Sequence, residues 1–449
     1  MSTGRDGRAP VVCGVDIGST NTKVVAVDPA GLVVARARRA TPRQAAHPTV
    51  DARRLFDAIE DMIVEVCADV YAVHAVCVAG VGEDGMLVDE ELAPLTPALA
   101  WFDPRRADVF AELAPRLADH TGLCTDDDPA RTLVGWRWAM DQPGAARARA
   151  WLSLTDYAPA AWTGRAFLSD TLAARTAAWD GRDRSWIDAR VRLGLGRVDL
   201  LPPVVHAGAI LGELRSGRLE SAGVLAGHVA VVAGGHDHPI GGWGVDLVSP
   251  GAVLDSMGTA EVVVAQAPRP GIAHRRDLDV APGIRSTGTT VLSVQELARN
   301  VEWATASSPE LATHLRALIA GDLDPDVHIY EAAFIPGERG GAAPRFTADA
   351  PTSPLSRASA VLGGLARIGL AAQRTVAACL PGNPAIYAAG GWSRSPGWVQ
   401  AKREVTGAEV IVVPEPQVTG TAAALLAATA VDWAPDPGLA MGLEARASA

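Results

Sequence analysis

Lysine is almost missing from this chain of 449 residues: Lys23 and Lys402 are the only two, although Lys and Arg together number 40. Where arginine otherwise supplies the positive charge, a retained lysine points to a place that needs a compact point charge rather than a planar fork. Cysteine is sparse and unpatterned. Cys13, Cys67, Cys77, Cys124 and Cys379 are odd in number, scattered and without CxxC spacing. That excludes a disulfide framework, argues against structural zinc and fits reduced thiols in the cytoplasm. No stretch approaches the ~18 apolar residues of a membrane span, and the first ten residues lack a signal-peptide core. There is no Gly-Lys pair, so a Walker A loop is excluded. A net charge of −11 speaks against a grip on nucleic acid or on anionic membrane. What is left is a soluble, acidic, intracellular chain, 48% hydrophobic, with enough length for two or three domains.

Residues 11–39 organise the rest. Apolar runs at 11–15, 24–27 and 32–35 are separated by DIGSTNT and by Asp28-Pro29-Ala30-Gly31, which predicts a three-stranded meander. The first turn is not an ordinary polar tip. It holds Asp16, Gly18, Ser19, Thr20 and Asn21, followed by Lys23. Glycine permits close backbone approach, and a tight turn gathers N–H groups into a concavity that suits an anion. We read it as a phosphate-holding hairpin.

Downstream, residues 50–70 have helical apolar spacing with Asp51 as N-cap, and 73–80 read as a strand. Three antiparallel strands, a helix and a further strand open a ribonuclease H-like unit. Helices are predicted at 107–119, 131–140 and 151–163, and a short buried strand at 229–233. Residues 253–265, VLDSMGTAEVVVA, then echo 15–27: strand, acid or hydroxyl, Gly-Thr turn, strand. One unit repeated at this distance indicates two related domains, with the boundary at Ser249-Pro250-Gly251. A long helix at 355–379, strands at 385–389 and 410–413, and a closing helix at 422–430 complete the reading. The fold class is α/β: two ribonuclease H-like domains with a cleft between them, spanning 11–248 and 249–432, with tails at 1–10 and 433–449.

Several clusters can carry chemistry. Gly80-Val81-Gly82-Glu83-Asp84-Gly85 satisfies GxGxxG, but Glu83 and Asp84 would stand where a pyrophosphate belongs and no helix pattern follows, so a Rossmann site is disfavoured. His236-Asp237-His238 invites a metal reading without a third ligand at a recognisable spacing. Asp237 also precedes Pro239, a helix-starting residue, and stands at a Gly-Gly turn where it could accept a hydroxyl proton. Trp101-Phe102-Asp103 with Arg105 and Arg106 mixes ring, carboxylate and cation, which suits a polyol, although a buried tryptophan beside a surface ion pair accounts for it equally well. Asp126–Asp128 and residues 322–326 lack calcium-loop spacing and read as solvated surface.

With these motifs assembled, the chain resembles the FGGY carbohydrate kinases of the actin-like ATPase superfamily over nearly its full length. GVDIGSTNTK (14–23) resembles the family's first phosphate motif and DSMGTAEVV (255–263) its second. AGGHDHPIGGWG (233–244) resembles the segment bearing the catalytic base, AFIPGERGGAAPRF (333–346) the region before the C-terminal core helix, and AAGGWSRSPGWVQAKREVTG (388–407) the adenosine motif. The resemblance implies an ATP- and Mg²⁺-dependent kinase of a small sugar: a ketose such as a pentulose or deoxyketohexose, a polyol or a sugar acid. It implies Asp237 as base, Asp16 and Asp237 near Mg²⁺, and Gly18, Ser19, Thr20, Asn21, Lys23, Gly258 and Thr259 on the phosphates. It also implies Gly390, Gly391 and Ser395 against adenosine, and Glu83, Asp84, Trp101, Asp103 and Asp237 on the sugar. The partner is then a small sugar rather than nucleic acid or membrane, and a homodimer stays open.

Two departures stand out. Gly82-Glu83-Asp84-Gly85-Met86-Leu87 comes closer to the deoxyketose branch than to the pentulose branch, and Ser293-Val294-Gln295-Glu296 replaces the glycine turn expected after the second phosphate motif. Asp16, Lys23 and Asp237 favour the enzyme. The turn at Ser293 is the feature that pulls toward the alternative, a catalytically inactive sugar- or nucleotide-sensing relative.

Overall fold

The computed structural model describes residues 7–44, 47–330, 333–337 and 342–443; residues 338–341 of the 333–346 motif and the outermost tail residues lie outside this description. The chain divides into two compact units. In the first, β1 (Ala9–Ile17), β2 (Asn21–Val27), β3 (Val33–Ala40), β4 (Tyr71–Gly80), β5 (Ile210–Glu213) and β6 (Leu225–His236) form one sheet in the order β5-β6-β4-β1-β2-β3. The meander β1-β2-β3 is antiparallel, whereas β4 runs parallel to β1 and β6 parallel to β4. Helix α1 (Ala52–Cys67) starts where Asp51 accepts the N–H groups of Arg53 and Arg54. Alternation along β1 sets one face of the sheet: Val11, Cys13, Val15 and Ile17 share a core with Leu55, Ile59, Met62 and Ile63 of α1. Helix α2 (Leu154–Thr163) joins that core. The sequence placed its start at 151, but residues 150–153 form a strand paired with residues 85–88, and Ser153 caps the helix through the Thr155 N–H. Likewise β6 is twelve residues long, not five. It runs directly into α3 (Asp237–Val248).

The second unit repeats the plan. Its strands β7 (Val253–Met257), β8 (Glu261–Ala267), β11 (Ile386–Ala389) and β12 (Val410–Val412) share a sheet with β9 (Asp279–Pro282) and β10 (Thr289–Gln295) in the order β9-β10-β8-β7-β11-β12. Of these, β9 and the start of β10 come from a segment that groups with the first unit. As in the first sheet, a hairpin (β7 antiparallel to β8) is followed by parallel strands, β11 beside β7 and β12 beside β11. Helices α4 (Pro354–Ala377) and α5 (Pro396–Thr406) supply Val361, Leu362, Leu365, Trp398 and Ala401 to its core.

The compact units are discontinuous along the chain. Pro268–Thr290 and Gln417–Ala449 group with the first. The reason is visible at α6 (Val418–Ala428), which packs on the other face of β1: a Cβ on Gly14 would collide with Gly420 O, and one on Gly244 of α3 would lie 2.5 Å from the Ala422 methyl. Small residues let the backbones touch. Among the described residues, no helix is long and apolar enough to cross a membrane, and all five cysteines are free thiols.

Candidate active site

The β1–β2 register sets Asp16 opposite Lys23. Lys23 Nζ donates to Asp16 Oδ2 at 2.6 Å, and Asp16, aided by Asp237, raises the Lys23 pKa although burial opposes it. The turn between them has its carbonyls engaged. Thr41 Oγ1 donates to Gly18 O (2.7 Å), Arg43 Nε and Nη2 donate to Ser19 O (2.8 and 2.6 Å), and the Thr41 N–H donates to Thr20 O (3.0 Å). With these carbonyls committed to protein contacts, the turn presents fewer acceptors that would repel an anion.

Asp237 stands at the β6–α3 junction. Its Oδ1 accepts the His238 N–H at 2.8 Å and is approached by His238 Nδ1 at 2.6 Å and His236 Nε2 at 3.2 Å. The His238 approach is a charge contact rather than an aligned hydrogen bond. Burial pushes His236 down to about 4. Burial also opposes charge on His238 and Asp237, but each stabilises the other: the His238 pKa is raised and that of Asp237 is held below the usual carboxylate range. Among the described residues this trio has its potential ligating atoms within 4.8 Å of one another, with both histidines close to the carboxylate.

Glu83 and Asp84 follow β4. Asp84 is fully buried, Oδ1 accepts the Trp101 N–H at 2.7 Å, and Oδ2 has no protein partner. Burial lifts its pKa to about 6, against the pull of Arg106 and Arg43. The Trp101 indole Nε1 donates to Ser19 Oγ at 2.8 Å, so Asp84 and the β1–β2 hairpin are tied through one residue. Asp103 is different. Arg105 occupies both its oxygens (Nε to Oδ1 at 2.9 Å, Nη2 to Oδ2 at 2.7 Å), and the side chain is fully buried. Arg106 is buried and donates to the carbonyls of Ala100, Leu99 and Arg131 at 2.7–3.0 Å, so it is a strut for these loops rather than half of a surface ion pair.

The second unit holds the other expected contacts. Gly258 and Thr259 form the β7–β8 turn, and the Ala298 N–H donates to Thr259 O at 3.0 Å. The segment from Ser293 is therefore the end of β10 running into a helix (Leu297–Ser307) that braces this turn, not a glycine loop. Gly390 has φ +93° and would collide with Met257 O if it carried a Cβ, so the turn after β11 lies against the end of β7. The space around Gly391 is open, and Ser395 precedes α5 as its N-cap. Beneath the Gly258 turn, Lys402 Nζ pairs with Asp255 Oδ2 (2.9 Å) and with Glu261 Oε1, all three side chains being fully buried.

The description of the N-terminal domain of the FGGY family of carbohydrate kinases matches residues 11–244, more than half of the chain. The chain belongs to the FGGY family of carbohydrate kinases. It is 28% identical to an L-fuculokinase of Salmonella typhi over 337 residues, covering 69% of this chain and 70% of that one. It is 28% identical to a xylulose kinase of Streptomyces rubiginosus over 451 residues, covering 93% and 88%. In fold it is similar to the xylulose kinase of Rhodospirillum rubrum (TM-score 0.81, 20% identity, 96% of this chain and 92% of the other) and to the gluconate kinase of Lactobacillus acidophilus (TM-score 0.80, 18% identity, 96% and 91%). This kinase is an ATP-dependent carbohydrate kinase of the two-domain actin-like ATPase fold.

Sequence reasoning missed the kinase's buried salt-bridge cluster. Arg175 Nε and Nη2 donate to Glu83 Oε1 (2.9 and 2.7 Å) and Nη1 to Asp279 Oδ2 (2.6 Å). Arg131 Nη2 pairs with Asp128 at 2.9 Å, and Arg190 Nη1 with Asp127 at 2.6 Å, so that acidic run, while partly exposed at Asp126 and Asp127, is also tied to buried arginines. Gly82 lies between Arg175 and His236: a Cβ there would stand 2.9 Å from both side chains. Partners 92 and 104 residues apart along the chain leave no local spacing to read.

Proposed function

We propose that the chain transfers the γ-phosphoryl group of ATP to one hydroxyl of a small sugar (a pentulose, a deoxyketohexose, a polyol or a sugar acid), with Asp237 as general base. The observation that carries this reading is the Asp237 carboxylate: kept ionised at neutral pH by His238, at a strand–helix junction, in the electrostatic neighbourhood of Lys23 and Asp16. An ionised carboxylate can take the hydroxyl proton as the oxygen attacks, and a modest pKa suffices because phosphoryl transfer rests on positioning and charge neutralisation. Lys23, Gly18, Ser19, Thr20 and Asn21 would receive phosphate oxygens, as would Gly258 and Thr259. Gly390, Gly391 and Ser395 would take adenosine.

Asp16 and Asp237 fit Mg²⁺: both are hard oxygen donors, and the ion takes one or two carboxylates while phosphate and water complete its shell. Bound there, it would neutralise phosphate charge. The sugar would meet Asp84 Oδ2, the Trp101 ring and Glu83, while Asp103 acts indirectly by holding Arg105. The inactive-sensor reading finds no support, since the Ser293 segment that suggested it braces the Gly258 turn.

The test is ADP release, enzymatically coupled, with ATP and Mg²⁺ against pentuloses, deoxyketohexoses, polyols and aldonates. One class should rise well above the sugar-free rate; uniform background across the panel with ATP still bound contradicts the reading.

A further inference from the structure

The residue before His236 and Asp237 needs explaining. The pairing of β6 with β4 shifts between Val232 and Gly235, a bulge in the strand that delivers Asp237. Gly235 has φ +147°, open only to glycine. Two buried hydroxyls close on it. Ser169 Oγ donates to Gly234 O at 2.8 Å, and Thr171 Oγ1 accepts the His236 N–H at 3.0 Å. The hydroxyls lie 3.0 Å apart. Each has one hydrogen; with that of Ser169 given to Gly234 O, Thr171 must donate to Ser169. The chain His236 N–H, Thr171, Ser169, Gly234 O therefore forms a closed ring around Gly235 and replaces what the bulge takes from the ladder. The ring is anchored from behind, where Asp156 Oδ2 accepts the Ser169 N–H at 2.8 Å and Asp170 Oδ2 meets His206 Nδ1 at 2.6 Å.

We propose that Ser169 and Thr171 are positioning residues that fix the backbone around Gly235 and thereby aim the Asp237 carboxylate at the sugar hydroxyl. The inference rests on Asp237 being the base. Small misplacement of a catalytic group is costly to turnover and largely invisible to binding of a distant ligand.

The experiment compares T171V, T171S, S169A and D237N in full-length enzyme on the best sugar. T171V should lower kcat about 10- to 100-fold, with KM for ATP within about twofold of the parent enzyme. T171S, which keeps the hydroxyl, should restore kcat to within about threefold. S169A, losing the Gly234 bond, should lower kcat in the same sense with the same ATP KM, and decides the question if T171V does not fold. Parent-like kcat in T171V or S169A, or a T171S enzyme as slow as T171V, overturns the positioning role while D237N remains inactive. An active D237N instead removes the base reading itself.

Discussion

Lys402 Nζ lies 2.9 Å from Asp255 Oδ2, beneath the β7–β8 turn, as Lys23 Nζ lies 2.6 Å from Asp16 Oδ2 beside the β1–β2 turn. The chain's two lysines thus serve the two related hairpins, but in different surroundings. Lys23 is partly open, whereas Lys402 is sealed from solvent with Asp255 and Glu261.

For Lys23, the ammonium is paired with Asp16 but partly open, which would let it meet a phosphate oxygen as well. Lys23→Met should lower kcat about 10²–10³-fold, the range for removing one charge-stabilising donor. Lys23→Arg should not rescue it, because a guanidinium cannot replace a point charge held against Asp16. Steady-state kinetics with varied ATP reads both.

For Lys402, the role is structural. Lys402→Met strands two buried carboxylates, so stability should fall by about 3–5 kcal/mol, seen as a lower urea midpoint. Burial already lifts Glu261 to about 8, against Lys402's pull. Without the lysine that pull is gone, so the deficit should widen as pH rises.

Asp84 has a buried Oδ2 without a hydrogen-bond partner, which we propose faces the sugar. Asp84→Asn keeps an acceptor for the Trp101 N–H and changes what the sugar meets. The sugar KM should rise about ten- to hundredfold, the scale of one mismatched buried hydrogen bond, with KM for ATP unmoved. An unchanged sugar KM would remove Asp84 from the sugar site.

Asp156 predicts a pH effect on stability. Burial raises its pKa from 3.8 to about 8, with Asp170 adding and the Ser169 N–H opposing. Between those values the folded chain holds a proton that the unfolded chain releases, so stability falls as pH rises through this window and levels off above it. The slope from this group is about 1.4 kcal/mol per pH unit. Asp156→Asn retains an acceptor for Ser169 and carries no charge. Its Tm should exceed that of the parent enzyme at about pH 9, with the gap shrinking toward about pH 5; a pH-independent gap contradicts this.

The fold was legible wherever it rests on local pattern. The period-two runs of β1–β3, the Asp51 cap of α1 and the echo of the first hairpin at β7–β8 are written in neighbouring residues, so they could be read. Gly14 against Gly420 could not, because the contact that returns α6 to the first unit joins residues with nothing in common but lack of a side chain. The same holds at the candidate site. Asp16, Lys23 and Asp237 lie in compact motifs. Arg175, Asp279 and the Ser169–Thr171 pair act through tertiary bonds that no spacing announces. Asp103 carried a motif-like setting, yet Arg105 two residues on takes both its oxygens.

The role of Asp237 as base of a sugar kinase can be tested by one substitution. The most direct measurement is kcat of Asp237→Asn on the best sugar of the panel, paired with calorimetric ATP affinity. The account predicts a loss of at least about 10²-fold in kcat, the floor for a positioned general base, with ATP binding within about twofold. Turnover near that of the parent enzyme in Asp237→Asn would contradict it.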